Sequence, residues 1–557
     1  MHLKRAVAIF LAICIFASCF TSCKEKEPVL LHADEVALAE KCEHKFSTAE
    51  EKNENCMTVS TFVCELCSGM RTEYKPLKGH KVVFDAGKPP TCRNSGYSHG
   101  ILCETCDKTY SVKQFTPLNI NAHYFIDDIK PATLMQGEQL YSKCVFCSKS
   151  ELISTKTELL APEKVGVPVL FFEGDLEAST KEKPVNMTVK YQSEDVNFTA
   201  YCTMKVQGNT SAEYEKKNYN IKLYEDEAHT KKHKVDLGWG EQFKYCLKAN
   251  YIDASHARNI VNARLFAKIT KSRVGHSPIL DSLPNMGLVD GYPVALYLNG
   301  CFYGMYTLNI PKDKWLLGMK NDETVKQAIL MADDWLPSVY LKEPIATDYS
   351  NGWDLEHCTT QNSAWARNSF NRFIEFINTA DDTEFKENLQ EYIDVDSFID
   401  TILFYIASGA YDNYVKNMLY VTYDGGDTWM CIPYDLDSTW GLYWDGSYFV
   451  STDIGMPEGG DGKVWFKKST NILFPKILSL FKEKVKQRYT ALRAGVMSND
   501  SIKAEFNSFF DLVPEVLYES DNQRWPSKPQ KSIDQKKQIF EYLDARLTLL
   551  DNFINTY

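Results

Sequence analysis

Basic charge is what this 557-residue sequence has too little of. Lys and Arg number 62 against 74 Asp and Glu, giving a formal charge of −12 and a pI near 5.5. A surface that tracks phosphates normally carries a basic excess, so the composition argues against nucleic acid as the main partner. Long apolar runs are scarce as well. The run from Ala6 to Ala17, behind Lys4 and Arg5, is too short to span a bilayer as a stable helix but has the length of a signal-peptide core. Small residues precede Cys19 and Cys23, and the polar Lys24–Pro28 stretch after Cys23 makes a natural tether. Residues 1–23 therefore read as a lipoprotein signal with Cys23 lipidated, and 24–40 as the tether. Cleavage at Cys19, or an uncleaved anchor, are the alternatives. In each case the body lies outside the cytoplasm, at the cell surface or in the periplasm, and lipid on a cysteine would hold it to the membrane without a transmembrane helix.

What is present is enough apolar mass for a large globular body, with 44% hydrophobic and 13% aromatic residues. Cysteine is concentrated. Nine cysteines fall between Cys42 and Cys147, and the pairs Cys64/Cys67, Cys103/Cys106 and Cys144/Cys147 recur at intervals of 39 and 41 residues. His44, His80 and His123 advance with them; Cys56 and Cys92 each follow a histidine by 12 residues, and Leu134 stands near the third such position. A period of this kind marks repeated structural units. The CxxC pairs with nearby histidines suit structural Zn²⁺, whereas an exported compartment favours disulfides. Nine thiols would leave one over as disulfides, and with three histidines they make twelve ligands. Two registers are open: Cys56, Cys64 and Cys67 with His80, then Cys92, Cys103 and Cys106 with His123; or the same thiols with His44 and His80. In the first, Cys144 and Cys147 need Cys42 and His44. Residues 41–150 are thus expected to form three zinc-ribbon-like hairpin repeats, ending before the Pro162–Pro168 seam.

Beyond the seam, 167–172, 185–191 and 199–206 read as strands, and 254–268, 369–378, 394–408 and 533–554 as helices. Asp412, followed five residues on by Asn417, and then Asp435 and Asp437, have the spacing that metal-dependent phosphoryl transfer uses. The apolar runs 418–423 and 429–434, joined across Asp424–Asp427, predict a hairpin that returns Asp435 to the end carrying Asp412 and Asn417.

Four ordered blocks carry a family resemblance: Lys205–Ser211 with Glu215–Leu223; Leu247–Asp253 with Arg258 and Asn259; Tyr297–Leu308; and Asp412–Gly441. In these the chain resembles the CotH kinase family of atypical, secreted or spore-coat protein kinases. The resemblance implies an α+β, protein kinase-like, two-lobe fold over 160–557, with a β-rich N-lobe and a helical C-lobe. It also implies ATP and Mg²⁺ or Mn²⁺ as reactants, with a Ser or Thr of a protein acceptor receiving the phosphoryl group. Asp412 takes the role of catalytic residue, and Asn417, Asp435 and Asp437 those of metal ligands. Gly208, Asn209 and Ser211 would cover the nucleotide, a loop with one glycine where ordinary kinases have several, and Lys217 or Lys222 would meet the phosphates. A non-catalytic surface or adhesion protein that keeps the fold is the alternative.

If Cys23 carries the lipid, Cys23→Ala leaves an unmodified precursor while Cys19→Ala is processed normally. Mass spectrometry of the membrane-extracted protein reads the difference, and the reverse result moves the mature N-terminus to Cys19.

Overall fold

The computed structural model describes residues 30–36, 43–54, 56–66, 69–85, 87–448 and 470–556. The signal segment with Cys19 and Cys23, the start of the tether, and the two cysteines Cys42 and Cys67 lie outside the described residues. The chain divides into two compact units, 1–130 with 139–155, and 131–138 with 156–557.

The smaller unit contains three antiparallel meanders. They are Phe46–Glu54, Met57–Cys64 and Met70–Pro76; Val82–Asp85, Gly100–Cys103 and Lys108–Ser111; and Phe125–Lys130, Gln139–Cys144 and Ser150–Thr155. In each, the first cysteine of the CxxC pair is the last residue of the middle strand, and in the second and third meanders Cys106 and Cys147 follow in the turn to the third strand.

In the larger unit seven strands close into a barrel: Val169–Glu173 (β1), Val185–Gln192 (β2), Asn197–Gln207 (β3), Asn218–Tyr224 (β4), Lys244–Lys248 (β5), Gly291–Leu298 (β6) and Cys301–Asn309 (β7). Their order is β1-β2-β3-β4-β5-β7-β6, antiparallel throughout except where β6 lies parallel to β1 and completes the ring. The period-2 alternation explains the inside: Ala200, Cys202, Met204 and Val206 on β3 and Tyr219, Ile221 and Leu223 on β4 point into one apolar core. The β-rich part expected from the sequence is therefore a closed barrel.

The remainder is helical around a second sheet. Arg258–Lys271 (α1) sits between β5 and β6. After the barrel come Ala328–Ala332 (β8), Trp353–Cys358 (β9), Ala364–Thr379 (α2), Asp382–Asn388 (α3), Val395–Ser408 (α4), Met418–Thr422 (β10) and Met430–Pro433 (β11). Leu473–Leu480 (α5), Lys482–Arg493 (α6), Asn499–Phe510 (α7), Glu515–Arg524 (α8) and Gln535–Thr556 (α9) follow. The sheet runs β9-β8-β10-β11, all antiparallel. On α2, Phe370, Phe373, Ile374 and Ile377 share one buried face at helical spacing. Asp394 caps α4 by accepting from the Ser397 amide, and Gly409, left-handed at φ 64°, ends it.

Helix α4 is buried on every side except at Asp396 in its first turn, which leaves Asp400 fully enclosed. Its carboxylate binds Arg488 of α6 at 2.6 Å and Arg273, just beyond α1, at 3.3 Å. Asp400→Ala removes the carboxylate that both guanidinium groups share, leaving Arg273 with Asp394 and Arg488 with the oxygens of Ile269 and Ser272, and is expected to cost about 3 kcal/mol of stability in denaturant titration. Asp396→Ala on the same helix breaks only the exposed pair with Lys484 and is expected to cost no more than about 1 kcal/mol.

Candidate functional site

A cleft of about 1010 Å³ opens where the barrel meets the second sheet, and residues from both line it. On the barrel side β3 ends at Gln207 and turns at Gly208, whose φ is +105°. A Cβ at Gly208 would stand 2.0 Å from Ser211 Oγ and displace that hydroxyl, and the positive φ itself strains any other residue there. Ser211 Oγ accepts from Asn218 Nδ2 at 3.1 Å, and Asn218 Oδ1 accepts from the Ala249 amide, which ties the loop to β5. Asn209 Oδ1 accepts from Lys181 at 2.7 Å, and Gln207 Oε1 is buried with no protein partner. Gly208, Asn209, Thr210 and Ser211 all face the cleft.

On the opposite side the β10–β11 hairpin performs the return that the sequence predicts. Met418 pairs with Pro433, and the Tyr434 amide donates to Asn417 O at 3.0 Å, so Asp435 emerges beside Asn417. Asp412 lies in the 3₁₀ turn Tyr411–Asn413 after α4. Its Oδ2 accepts from Asn417 Nδ2 at 2.8 Å and lies 3.3 Å from Lys416 Nζ. Asn417 and Asp435 both hold left-handed φ, 58° and 54°, a conformation costly for residues other than glycine that persists where surrounding contacts enforce it. Those contacts are present: the Asn417 amide donates to Ala332 O, and Asn259 of α1 accepts from the Leu436 amide.

Burial raises the Asp412 carboxyl above the ordinary carboxylate range, with Asp435 adding to the effect and Lys416 opposing it. Asp437 is pushed well above that range, first by burial and then by the charge of Asp435. The Asp412, Asp435 and Asp437 carboxylates, supplemented by the Asn417 amide oxygen, are the hard-oxygen donor set that suits Mg²⁺ or Mn²⁺. Such a cation takes only one or two protein carboxylates and completes its shell with substrate phosphates.

The lysines of the cleft are not the two the sequence suggests. Lys222 is exposed on β4 among the residues that face away from the barrel core, and Lys217 Nζ donates to Ala212 O. Neither lines the cleft, whereas Lys216 and Lys248 do. Strand parity is the reason for Lys222, which alternates away from the inward set Tyr219, Ile221 and Leu223; Lys217 has the inward parity but precedes the strand. Lys248, at the end of β5, is buried; burial alone favours the neutral amine, yet Tyr434, Asp435 and Asp437 hold its pKa above the usual value. Leu247–Asp253 was already one of the matching blocks, and a lysine ending an apolar strand was its signal.

Lys216 is fully buried, 2.7 Å from Asp521 Oδ1 on α8, and also donates to Met305 O. Asp521 Oδ2 takes Lys528 at 2.7 Å and faces His256 Nε2 at 3.3 Å. No sequence pattern announces Asp521, because its partner lies 305 residues away. Burial lowers Lys216 to about 8 against the pull of Asp521. It lowers His256 to about 4, with Lys528 and Lys216 acting in the same direction. Burial alone would raise Asp521, but Lys216 and Lys528 hold it well below the carboxylate range.

In the smaller unit, two groups of cysteine and histidine converge, each with its ligand atoms within 4.8 Å of one another: Cys56, His80, Cys103 and Cys106; and Cys92, His123, Cys144 and Cys147. Both registers expected from the sequence are overturned. The set Cys92, Cys103, Cys106 does not assemble, and Cys144 and Cys147 meet Cys92 and His123, not Cys42 and His44. Antiparallel pairing explains the difference. Val82 pairs with Cys103 and Phe125 with Cys144, so each histidine and the CxxC pair of its own meander share one end. Cys92 follows Val82–Asp85, at the other end of its hairpin, and meets the next meander. The equivalent position, Leu134, falls in the 131–138 segment that belongs to the larger unit, and it is buried in that unit's apolar core.

Residues 204–550 match a family model described as CotH kinase protein. The chain is also similar to the inner spore coat protein H of Bacillus subtilis (strain 168), 23% identical over 360 residues that cover 60% of this chain and 87% of the relative.

The buried cluster makes stability pH-dependent with a definite sign. His256 stays neutral in the fold down to about 4, while the unfolded side chain protonates near ~6.5. The unfolded state therefore binds more protons between these values. Stability present above pH ~6.5 is lost as the pH falls toward 4. His256→Gln is expected to flatten that limb of a plot of thermal midpoint against pH; an unchanged slope places the acid sensitivity elsewhere.

Proposed function

The chain belongs to the CotH kinase family, and from that premise we propose that it is an extracytoplasmic phosphotransferase that moves the γ-phosphoryl group of ATP to a Ser or Thr hydroxyl of a protein acceptor. The observation that carries the reading is the meeting of Asp412, Asn417 and Asp435 at one end of the β10–β11 hairpin, facing Gly208–Ser211 and Lys248 across a single cleft.

Asp412 orients the acceptor hydroxyl and takes its proton. A carboxyl raised by burial is the better base for that step. The acceptor oxygen forms the new bond to the γ-phosphorus as the bond from that phosphorus to the β–γ bridging oxygen breaks, and ADP leaves. One or two Mg²⁺ or Mn²⁺ ions, held by Asn417 and Asp435 with Asp437 beside them, would neutralise the charge on the transferring phosphates. Lys248 supplies a fixed positive charge at the same place. The Gly208–Ser211 loop offers backbone N–H groups and the Asn209 and Ser211 side chains to the nucleotide, which offsets its shortage of glycine. The spore-coat name of the relative and the signal-like N-terminus support a surface location, with a lipid on Cys23 as the membrane tether.

Incubation of the protein with labelled ATP, Mg²⁺ or Mn²⁺ and generic protein acceptors tests the reading. Asp412→Asn is expected to lower turnover by about 10²–10⁴ while nucleotide still binds. Asp435→Ala is expected to abolish both transfer and the metal-dependent part of nucleotide binding. Wild-type turnover in both variants, each folded by circular dichroism, rejects the catalytic assignment. Absence of labelling and of ATP-dependent thermal stabilisation in the wild type instead favours a surface binding protein that retains the fold.

A further inference from the structure

The structure assigns two Zn²⁺ centres to the smaller unit, Cys56/His80/Cys103/Cys106 and Cys92/His123/Cys144/Cys147, in a staggered register where each ion joins the far end of one meander to the near end of the next. This inference is independent of the kinase reading, since no residue of the cleft takes part.

Distances carry the assignment first. Tetrahedral zinc with Zn–S near ~2.3 Å and Zn–N near ~2.05 Å sets S···S at about 3.8 Å and S···N at about 3.6 Å. Cys103 Sγ lies 3.6 Å from His80 Nδ1, and Cys147 Sγ 3.4 Å from His123 Nδ1. Cys92 and Cys144 sulfurs are 3.6 Å apart, and those of Cys56 and Cys106 3.1 Å. The sulfur pairs lie well outside the ~2.05 Å of a disulfide bond. All four ligand atoms of each group lie within 4.8 Å of one another, as four ligands of one ion must.

The ligand chemistry carries it next. Three thiolates and one imidazole make a closed, soft donor set of the structural zinc type, with no position left for substrate. Among its described residues this unit buries little apolar mass. The apolar cluster here is small: Cys56, Met57, Ile101 and Cys103, with Tyr74 and Val82 against it. Two of those four buried residues are themselves ligands. A unit with so little core depends on cross-links, and metal binding supplies them as folding free energy. The same four-residue geometry then recurs, one meander further on, from different spacings in the sequence. Chance proximity does not produce that repetition.

Metal content of the full chain provides the test, because the stagger predicts which losses coincide. Cys56→Ser and Cys103→Ser should each lose one zinc per chain, and the double variant should also lose only one. Cys56→Ser combined with Cys92→Ser should lose two. Loss of two zinc ions in the Cys56/Cys103 double variant would overturn the register. For variants that fold poorly, the wild-type protein decides. Zinc released by thiol modification should be chelatable in proportion to the cysteines modified, and cobalt substitution should give thiolate-to-cobalt charge-transfer bands with tetrahedral d–d absorption. Native protein that contains no zinc, or whose Cys103/Cys106 and Cys144/Cys147 pairs are recovered as disulfides by mass spectrometry, would overturn the assignment. Each readout is independent of phosphoryl transfer.

Discussion

The buried carboxylate of Asp521 is the interaction on which the larger unit turns. An isolated charge in an apolar interior is strongly unfavourable, and it persists only when its partners are equally buried and well placed. Asp521 has two lysines, a histidine and the Met305 amide around it. Those partners come from the segment before β4, from β7, from the turn before α1 and from the chain after α8. Removing Asp521 leaves two buried ammonium groups without their counter-charge, so the barrel and the C-terminal helices are held in one arrangement. Lys216 also lines the cleft, which means that the same ion pair fixes the position of one wall of the candidate site.

Ordinary kinases tether a phosphate-facing lysine with an acidic residue from a helix, and here a lysine on the barrel meets an aspartate on α8. The difference lies in the burial. Lys216 is fully enclosed and its amine is committed to Asp521 and Met305 O. Lys248 is the lysine that sits next to the acidic hairpin residues, where its charge opposes those of Asp435 and Asp437. One lysine thus serves the architecture and the other the electrostatics of the cleft.

Local pattern made much of this legible in the sequence. The strand and helix readings fall close to the observed elements, as with the reading 185–191 against Val185–Gln192 and 394–408 against Val395–Ser408. These segments declare their period within a few turns or residue pairs. The hairpin that brings Asp435 to Asn417 was legible for the same reason, since two apolar runs and a Gly-rich turn set its register. The Asp521 partnership was not, because nothing local marks a pairing 305 residues apart. Barrel closure was hidden too: it depends on the parallel contact of β1 with β6, and parallel partners have no turn between them to announce the pairing. Lys222 failed on parity, since it alternates away from the inward set, whereas Lys217 has the inward parity but precedes the strand and gives its amine to Ala212 O.

The metal register failed for a related reason that bears on how such repeats are read. Counting spacings treats a repeat as a unit that closes on itself, yet an antiparallel meander has two ends, and residues at opposite ends cannot share an ion. His80 and Cys103 share an end because Val82 pairs with Cys103; Cys92 follows the first strand and lies at the other. A ligand at the far end must therefore be completed by the next meander, and an array built this way has an unmatched position at its last member. Leu134 occupies that position, where the stagger calls for no ligand. The two units obey one rule: the end of an antiparallel pair decides which side chains meet, gathering Asn417 with Asp435 in the cleft and histidine with CxxC in the repeats.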